Sequence, residues 1–171
     1  NTNMSCSENI VIDNIYVYKG VGLSVGSVAS TKQHCIRNVL FQNIVADEPI
    51  KFIYIKTGNN HDATTTQGYI TNITYRNMNA SDALLWPIYI GPQQQKEPDG
   101  TGDGLWPPVN PFVDIRDIFF ENITIHMKSH YSKYGVLRCA ISNPCSNLHF
   151  KGVIIKGGQK KYVCSEEGSL V

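Results

Sequence analysis

The side chains able to do chemistry are few and scattered. Five cysteines stand at Cys6, Cys35, Cys139, Cys145 and Cys164, and five histidines at His34, His61, His126, His130 and His149. No cysteine pair has the C-x-x-C spacing of a zinc ribbon or redox dithiol, and no histidine set has a ligand spacing on one face. No metal site and no cofactor are therefore expected. Asp99 and Asp103, with glycines between them, fall short of a calcium-loop pattern. Trp106 offers a ring that could stack on a sugar, but it sits in a Pro- and Gly-rich stretch and reads as a loop anchor. His61 reads as a solvated loop residue. Four N-x-Ser/Thr sequons begin at Asn3, Asn72, Asn79 and Asn122.

Composition removes several classes of function. The 171 residues suffice for one domain with a core, and 42% of them are apolar. Net charge is +1, charged residues are 17% of the chain and no basic block occurs, so nucleic acid is not an expected partner. No apolar run approaches the roughly 20 residues of a membrane span. No leader precedes Asn1, which reads as processing or as an incomplete sequence. Cysteines, sequons and low charge together point to an oxidising, secreted or extracellular setting.

The elements that must position these residues declare themselves as a repeat. A nine-residue pattern recurs five times: NIVIDNIYV from Asn9, NVLFQNIVA from Asn38, NITYRNMNA from Asn72, DIFFENITI from Asp117 and NLHFKGVII from Asn147. The starts lie 29, 34, 45 and 30 residues apart, a spacing that a solenoid with variable loops accommodates and hairpin sheets do not. Within each copy Ile10 and Ile12 alternate inward, then the phase slips by one at Asn14, and Ile15 and Val17 become the inward pair. The slip recurs at Asn43, Asn77, Asn122 and Gly152, residue types that accept left-handed backbone angles, so it marks a bend between two strands.

The inward columns then read Ile10, Val39, Ile73, Ile118, Leu148; Ile12, Phe41, Tyr75, Phe120, Phe150; and Ile15, Ile44, Met78, Ile123, Val153. The fold class is all-β, a right-handed parallel β-helix of about five coils. It is expected over residues 1–157, with an insertion at 91–112 and a polar tail over 158–171.

The register makes further expectations. Cys6 and Cys35 each lie three residues before a repeat, at equivalent places on adjacent coils about 4.8 Å apart, within the reach of a disulfide. Cys139 and Cys145 close a short loop and form a second pair, which leaves Cys164 over. Asn72 and Asn79 fall on the outward parity, and together with Asn3 they are the candidate glycosylation sites. Asn122 is expected buried in the bend column and bare, and Asn3 has no assigned parity. The first coil has no capping element, so either upstream residues of the same polypeptide or another stacked chain should cover it.

Residues 20–27, Gly-Val-Gly-Leu-Ser-Val-Gly-Ser, resemble the G-H-G-[IL]-S-[IV]-G-S signature of glycoside hydrolase family 28, the polygalacturonases and their relatives. Residues 53–57, Ile-Tyr-Ile-Lys-Thr, resemble the family's [VI]-R-I-K-T segment, one coil later. The resemblance implies the C-terminal half of a right-handed parallel β-helix. It also implies inverting hydrolysis of pectic galacturonan, by an acid that protonates the leaving oxygen and a base that activates water. The family's carboxylates lie upstream of the glycine motif, and no such pair is present in this chain.

Two motif positions depart from the family. Val21 stands at the implied histidine and carries no exchangeable proton. Tyr54 stands at the implied arginine and makes no bidentate guanidinium contact. Lys56 matches the implied lysine, so Lys56 and Tyr54 are the candidate substrate-binding residues, and no catalytic residue is assigned.

The reading is a catalytically degenerate, extracellular polygalacturonase-like protein with a structural or assembly role in a cell wall, coat or filament. The alternatives are part of an active pectic hydrolase with upstream aspartates, and a carbohydrate-binding module. A polysaccharide or oligosaccharide is the expected ligand class.

Overall fold

The computed structural model describes residues 5–29, 34–58, 68–92, 108–128, 130 and 133–164. Among these there are only strands and turns: β1 (Ser5–Asp13), β2 (Tyr16–Tyr18), β3 (Leu23–Val28), β4 (His34–Asp47), β5 (Ile53–Thr57), β6 (Gly68–Ala83), β7 (Ile88–Pro92), β8 (Val113–Met127), β9 (Lys133–Leu137), β10 (Ser146–Lys156) and β11 (Gln159–Cys164). They form two parallel sheets. The long sheet runs β1-β4-β6-β8-β10, with β2 also on β4, and the short sheet runs β11-β9-β7-β5-β3. Each coil contributes one long and one short strand, and successive coils stack in register, which makes the molecule a parallel β-helix.

Register follows the repeat. Ile10, Val39, Ile73, Ile118 and Leu148 are partners across the long sheet, as are Ile12, Phe41, Tyr75, Phe120 and Phe150. Within each nine-residue repeat the long strand bends at two positions, one more than the phase slip at the second Asn foretold, and Lys19, Glu48 and Asp82 form a further left-handed column beyond it. Asn14, Asn43, Asn77 and Asn122 have φ of 52–55°, and the first Asn or Asp of each repeat (Asn9, Asn38, Asn72, Asp117, Asn147) has φ of 51–58°. The reason is the same at both places, since a short polar side chain tolerates left-handed angles and hydrogen-bonds locally.

Both columns are amide ladders. In the first, Asn38 Nδ2 donates to Asn9 Oδ1 at 3.1 Å, Asn72 Nδ2 to Asn38 Oδ1 at 2.8 Å and Asn147 Nδ2 to Asp117 Oδ1 at 2.9 Å. In the second, Asn77 donates to Asn43 at 3.5 Å and Asn122 to Asn77 at 3.3 Å. Asn122 is exposed, not buried as its place in the bend column suggested. A left-handed bend turns the side chain to the convex outer surface, where the ladder runs in view of solvent.

The interior is an apolar stack. Phe41, Tyr75, Phe120 and Phe150 stack with centroids 4.8, 5.7 and 4.6 Å apart. Ile44, Ile73, Ile118, Ile123 and Phe120 are fully buried, whereas Ile10 and Ile15 on the first coil are 38% and 43% exposed and Phe150 on the last is 43% exposed. Coils inside the stack are covered on two sides, and the end coils shown here on one. The Tyr75 hydroxyl is fully buried and finds no hydrogen-bond partner among the described residues, and burial pushes its ionisation well above the ordinary phenol range. Replacing Tyr75 with Phe keeps the stack and removes an unpaired polar atom. The variant is expected to gain about 1 kcal/mol in denaturant unfolding; a loss would show that the hydroxyl is satisfied in solution.

Disulfides join Cys6 to Cys35, which are register partners with Cα atoms 4.4 Å apart, and Cys139 to Cys145 at 5.6 Å. Cys164 lies opposite Leu137 on β11, half-buried, and burial pushes its thiol up. Residues 159–164, placed by sequence in a polar tail, form β11 and continue the short sheet. Of the insertion expected over residues 91–112, residues 93–107 lie outside the described residues; β7 runs to Pro92, and Asn110 donates to Gly58 O at 2.8 Å. Asn3, His61, Asp99, Asp103 and Trp106 lie outside the described residues.

Charges on the outer surface tie coils together. Glu48 accepts from Lys128 Nζ at 2.7 Å and faces Lys19 Nζ at 3.8 Å, and Lys128 above all holds its carboxyl below the usual range. Asp13 accepts from the side chains of Asn43 and Gln42, which hold it low as well. A depressed carboxylate adds stability that is present above its unfolded value and lost as pH falls through the folded one. The thermal midpoint is therefore expected to drop on acidification below roughly pH 4. The drop should be smaller in a Glu48→Gln, Asp13→Asn double variant, and an unchanged acid slope would remove these two groups as its cause.

Candidate functional site

The two motif segments meet on consecutive strands of the short sheet. Leu23, Ser24 and Val25 on β3 pair with Ile53, Tyr54 and Ile55 on β5, which pair with Ile88, Tyr89 and Ile90 on β7. Leu23, Val25, Ile53, Ile55, Ile88 and Ile90 face the core, so alternation sends Ser24, Tyr54 and Tyr89 outward as one column.

The glycines of residues 20–27 have a structural reason tied to this neighbour. A Cβ at Gly22 would lie 2.0 Å from Lys51 O, and one at Gly26 would lie 2.1 Å from Lys56 O. Both glycines also hold positive φ, 80° and 109°. Backbone is thus brought against backbone on either side of the Tyr54 strand, at separations no other residue permits.

The outer face is closed by aromatics around a buried lysine. Tyr54 meets Tyr89 edge-on, with centroids 4.9 Å apart and planes at 78°, and Trp86 lies 6.1 Å from Tyr89. Lys51 is only 6% exposed; its Nζ lies 4.9 Å from the Tyr54 ring centre, 5.6 Å from Tyr89 and 5.9 Å from Trp86. Lys56 Nζ lies 5.3 Å from the Tyr54 ring, so one ring serves two ammonium groups. Val136, fully buried, completes the cluster, and Arg138 beside it is 2% exposed, with its backbone N–H donating to Ile90 O at 2.8 Å.

The predicted residues fare differently. Lys56 is partly exposed on the face that Tyr54 shares. Tyr54, the other candidate substrate-binding residue, is 4% exposed, and its ring faces the two lysines. Val21 is 45% exposed, in the turn between β2 and β3. Lys51, Trp86, Tyr89 and Arg138 were not foreseen. One signal for Tyr89 was present: Ile88-Tyr89-Ile90 repeats Ile53-Tyr54-Ile55.

Chemically, the described face can hold an anion at Lys56. The strands β3, β5 and β7 carry no acidic residue, so they supply no acid–base pair. Among the described residues no three His, Cys, Asp or Glu side chains gather to hold a metal.

Comparison with known proteins agrees with this architecture. The chain is 32% identical over 155 residues to the probable endopolygalacturonase D of Neosartorya fischeri, covering 91% of this chain and 30% of that protein. It is 28% identical over 161 residues to endopolygalacturonase B of Emericella nidulans, covering 94% and 41%. It is 33% identical over 156 residues to endopolygalacturonase D of Aspergillus niger, covering 91% and 28%. The chain therefore spans well under half the length of these curated relatives. The family model described as glycosyl hydrolases family 28 matches residues 3–169. With that match over nearly its whole length, the chain belongs to glycosyl hydrolases family 28.

Proposed function

We propose that this chain is part of an extracellular, polygalacturonase-like β-helix protein that has lost its family's hydrolytic chemistry and serves a structural role in a wall, coat or filament. The observation that carries the reading is the enclosure of Tyr54, 4% exposed, where the family resemblance implies an arginine. A guanidinium there would grip a substrate carboxylate with two parallel N–H donors, which a phenol cannot do. Val21 removes the implied histidine as well.

Inward-facing Ile10 and Ile15 on the first described coil and Phe150 on the last long strand are 38–43% exposed. Coils from upstream sequence, or from a second chain, would pair with β1 and bury Ile10 and Ile15. The two disulfides and the sequons support an extracellular setting. Sedimentation and electron microscopy of the native protein test the role. Ordered self-association or retention on insoluble wall polysaccharide is expected; a freely soluble, non-associating protein would argue against it.

Lys56 favours a second reading. It keeps the implied cation partly exposed, as a sugar-binding surface or the retained half of an active pectic hydrolase would need. Oligogalacturonate binding without turnover would select the binding module. Turnover would select the hydrolase.

A further inference from the structure

Three sequons fall on described residues: Asn72-Ile-Thr, Asn79-Ala-Ser and Asn122-Ile-Thr. All three asparagines are exposed, so exposure does not rank them. Their backbone and bonding do. Asn72 and Asn122 sit at left-handed bends with φ of 53° and 52°, and each uses Nδ2 to donate to the asparagine one coil below, at 2.8 and 3.3 Å. Nδ2 is the atom a glycan would occupy. A sugar there replaces one amide hydrogen and must share a gap of about 4.8 Å between stacked rungs.

Asn79 stands in neither ladder. It lies on an extended stretch of β6, between Val45 and Thr124 in register. The same outward column continues to Tyr16 and Ile154, so Asn79 opens onto a stripe where Tyr16 is 64%, Val45 47% and Ile154 50% exposed. A glycan at Asn79 has room to project, and it would shield apolar side chains that otherwise face water.

We propose that Asn79 is the N-glycosylated residue of this surface, and that Asn72 and Asn122 stay bare because their amides belong to the ladders. The modification joins Asn79 Nδ2 to the anomeric carbon of an oligosaccharide carried on a lipid pyrophosphate. The carbon–oxygen bond to the pyrophosphate breaks, and the amide gives up one proton. This selection among sequons stands on the extracellular reading but not on the loss of hydrolytic chemistry.

The test is site occupancy in the complete native polypeptide, with Asn3→Gln, secreted from a eukaryotic host. Enzymatic release of N-glycans in ¹⁸O water marks each occupied asparagine as a labelled aspartate for peptide mass spectrometry. The label is expected at Asn79 and absent from Asn72 and Asn122, and an Asn79→Gln variant should lose one glycan's mass with an unchanged melting temperature. Label at Asn72 or Asn122 in the folded protein, or an unlabelled Asn79, overturns the proposal.

Discussion

Phe120→Ala is expected to lower the unfolding free energy by about 4 kcal/mol, the loss typical of a large ring deleted from a well-packed core. Phe120 is fully buried on β8, stacked between Tyr75 one coil below and Phe150 one coil above. In a solenoid each coil contacts only its neighbours, so a void at Phe120 weakens two coil interfaces at once. Phe150→Ala deletes the same ring from a side chain that is already 43% exposed, and should cost roughly half as much. Denaturant titration followed by circular dichroism reads both. Equal losses would mean that Phe150 is covered as thoroughly in solution as Phe120, and a loss under about 1 kcal/mol at Phe120 would mean the aromatic stack is not the core.

Placing at position 54 the arginine that the motif resemblance implies should not confer hydrolysis. Tyr54→Arg is expected to destabilise the protein by about 3 kcal/mol, the scale of an uncompensated charge placed in a buried site. The new guanidinium would enter the enclosure in which the Lys51 ammonium already sits 4.9 Å from the ring centre, with Lys56 on the same ring at 5.3 Å. It would also remove the ring that stabilises both ammonium groups. Adding Lys51→Met should recover a large part of the loss, because it withdraws one of the crowded cations while keeping an apolar stem. A double-mutant cycle measures this coupling directly. Additive effects of the two substitutions would mean that Lys51 and position 54 do not share one enclosure.

Much of the fold was legible because the repeat is long and its phase is strict. Columns such as Ile73 over Val39 follow from the pattern alone, and the register bears them out. The bend at the first Asn is written in the sequence in the same way. Ile36 to Val39, Ile70 to Ile73 and Ile115 to Ile118 show the same three-residue gap between inward positions that Phe41 to Ile44 shows at the second Asn. Asn122 is exposed although its column is a bend, because a left-handed turn on a convex wall points its side chain out. The strand at Gln159–Cys164 was hidden by its polar composition, since an outer strand of a solenoid gains its hydrogen bonds from β9 whatever its side chains are.

The site was less legible. The motifs located Lys56 and the substituted positions, but burial of Lys51 depends on Tyr54, Trp86 and Tyr89 converging from two coils. A lysine read alone is assigned to the surface.

The most direct test of the central claim is release of reducing ends from polygalacturonate by the purified native protein, in its full native length. A family 28 β-helix with Val21 and Tyr54 where the motif resemblance implies a histidine and an arginine is predicted to release none above the buffer rate. Sustained turnover that co-purifies with the protein through successive columns would contradict the account and return the chain to the working hydrolases of its family.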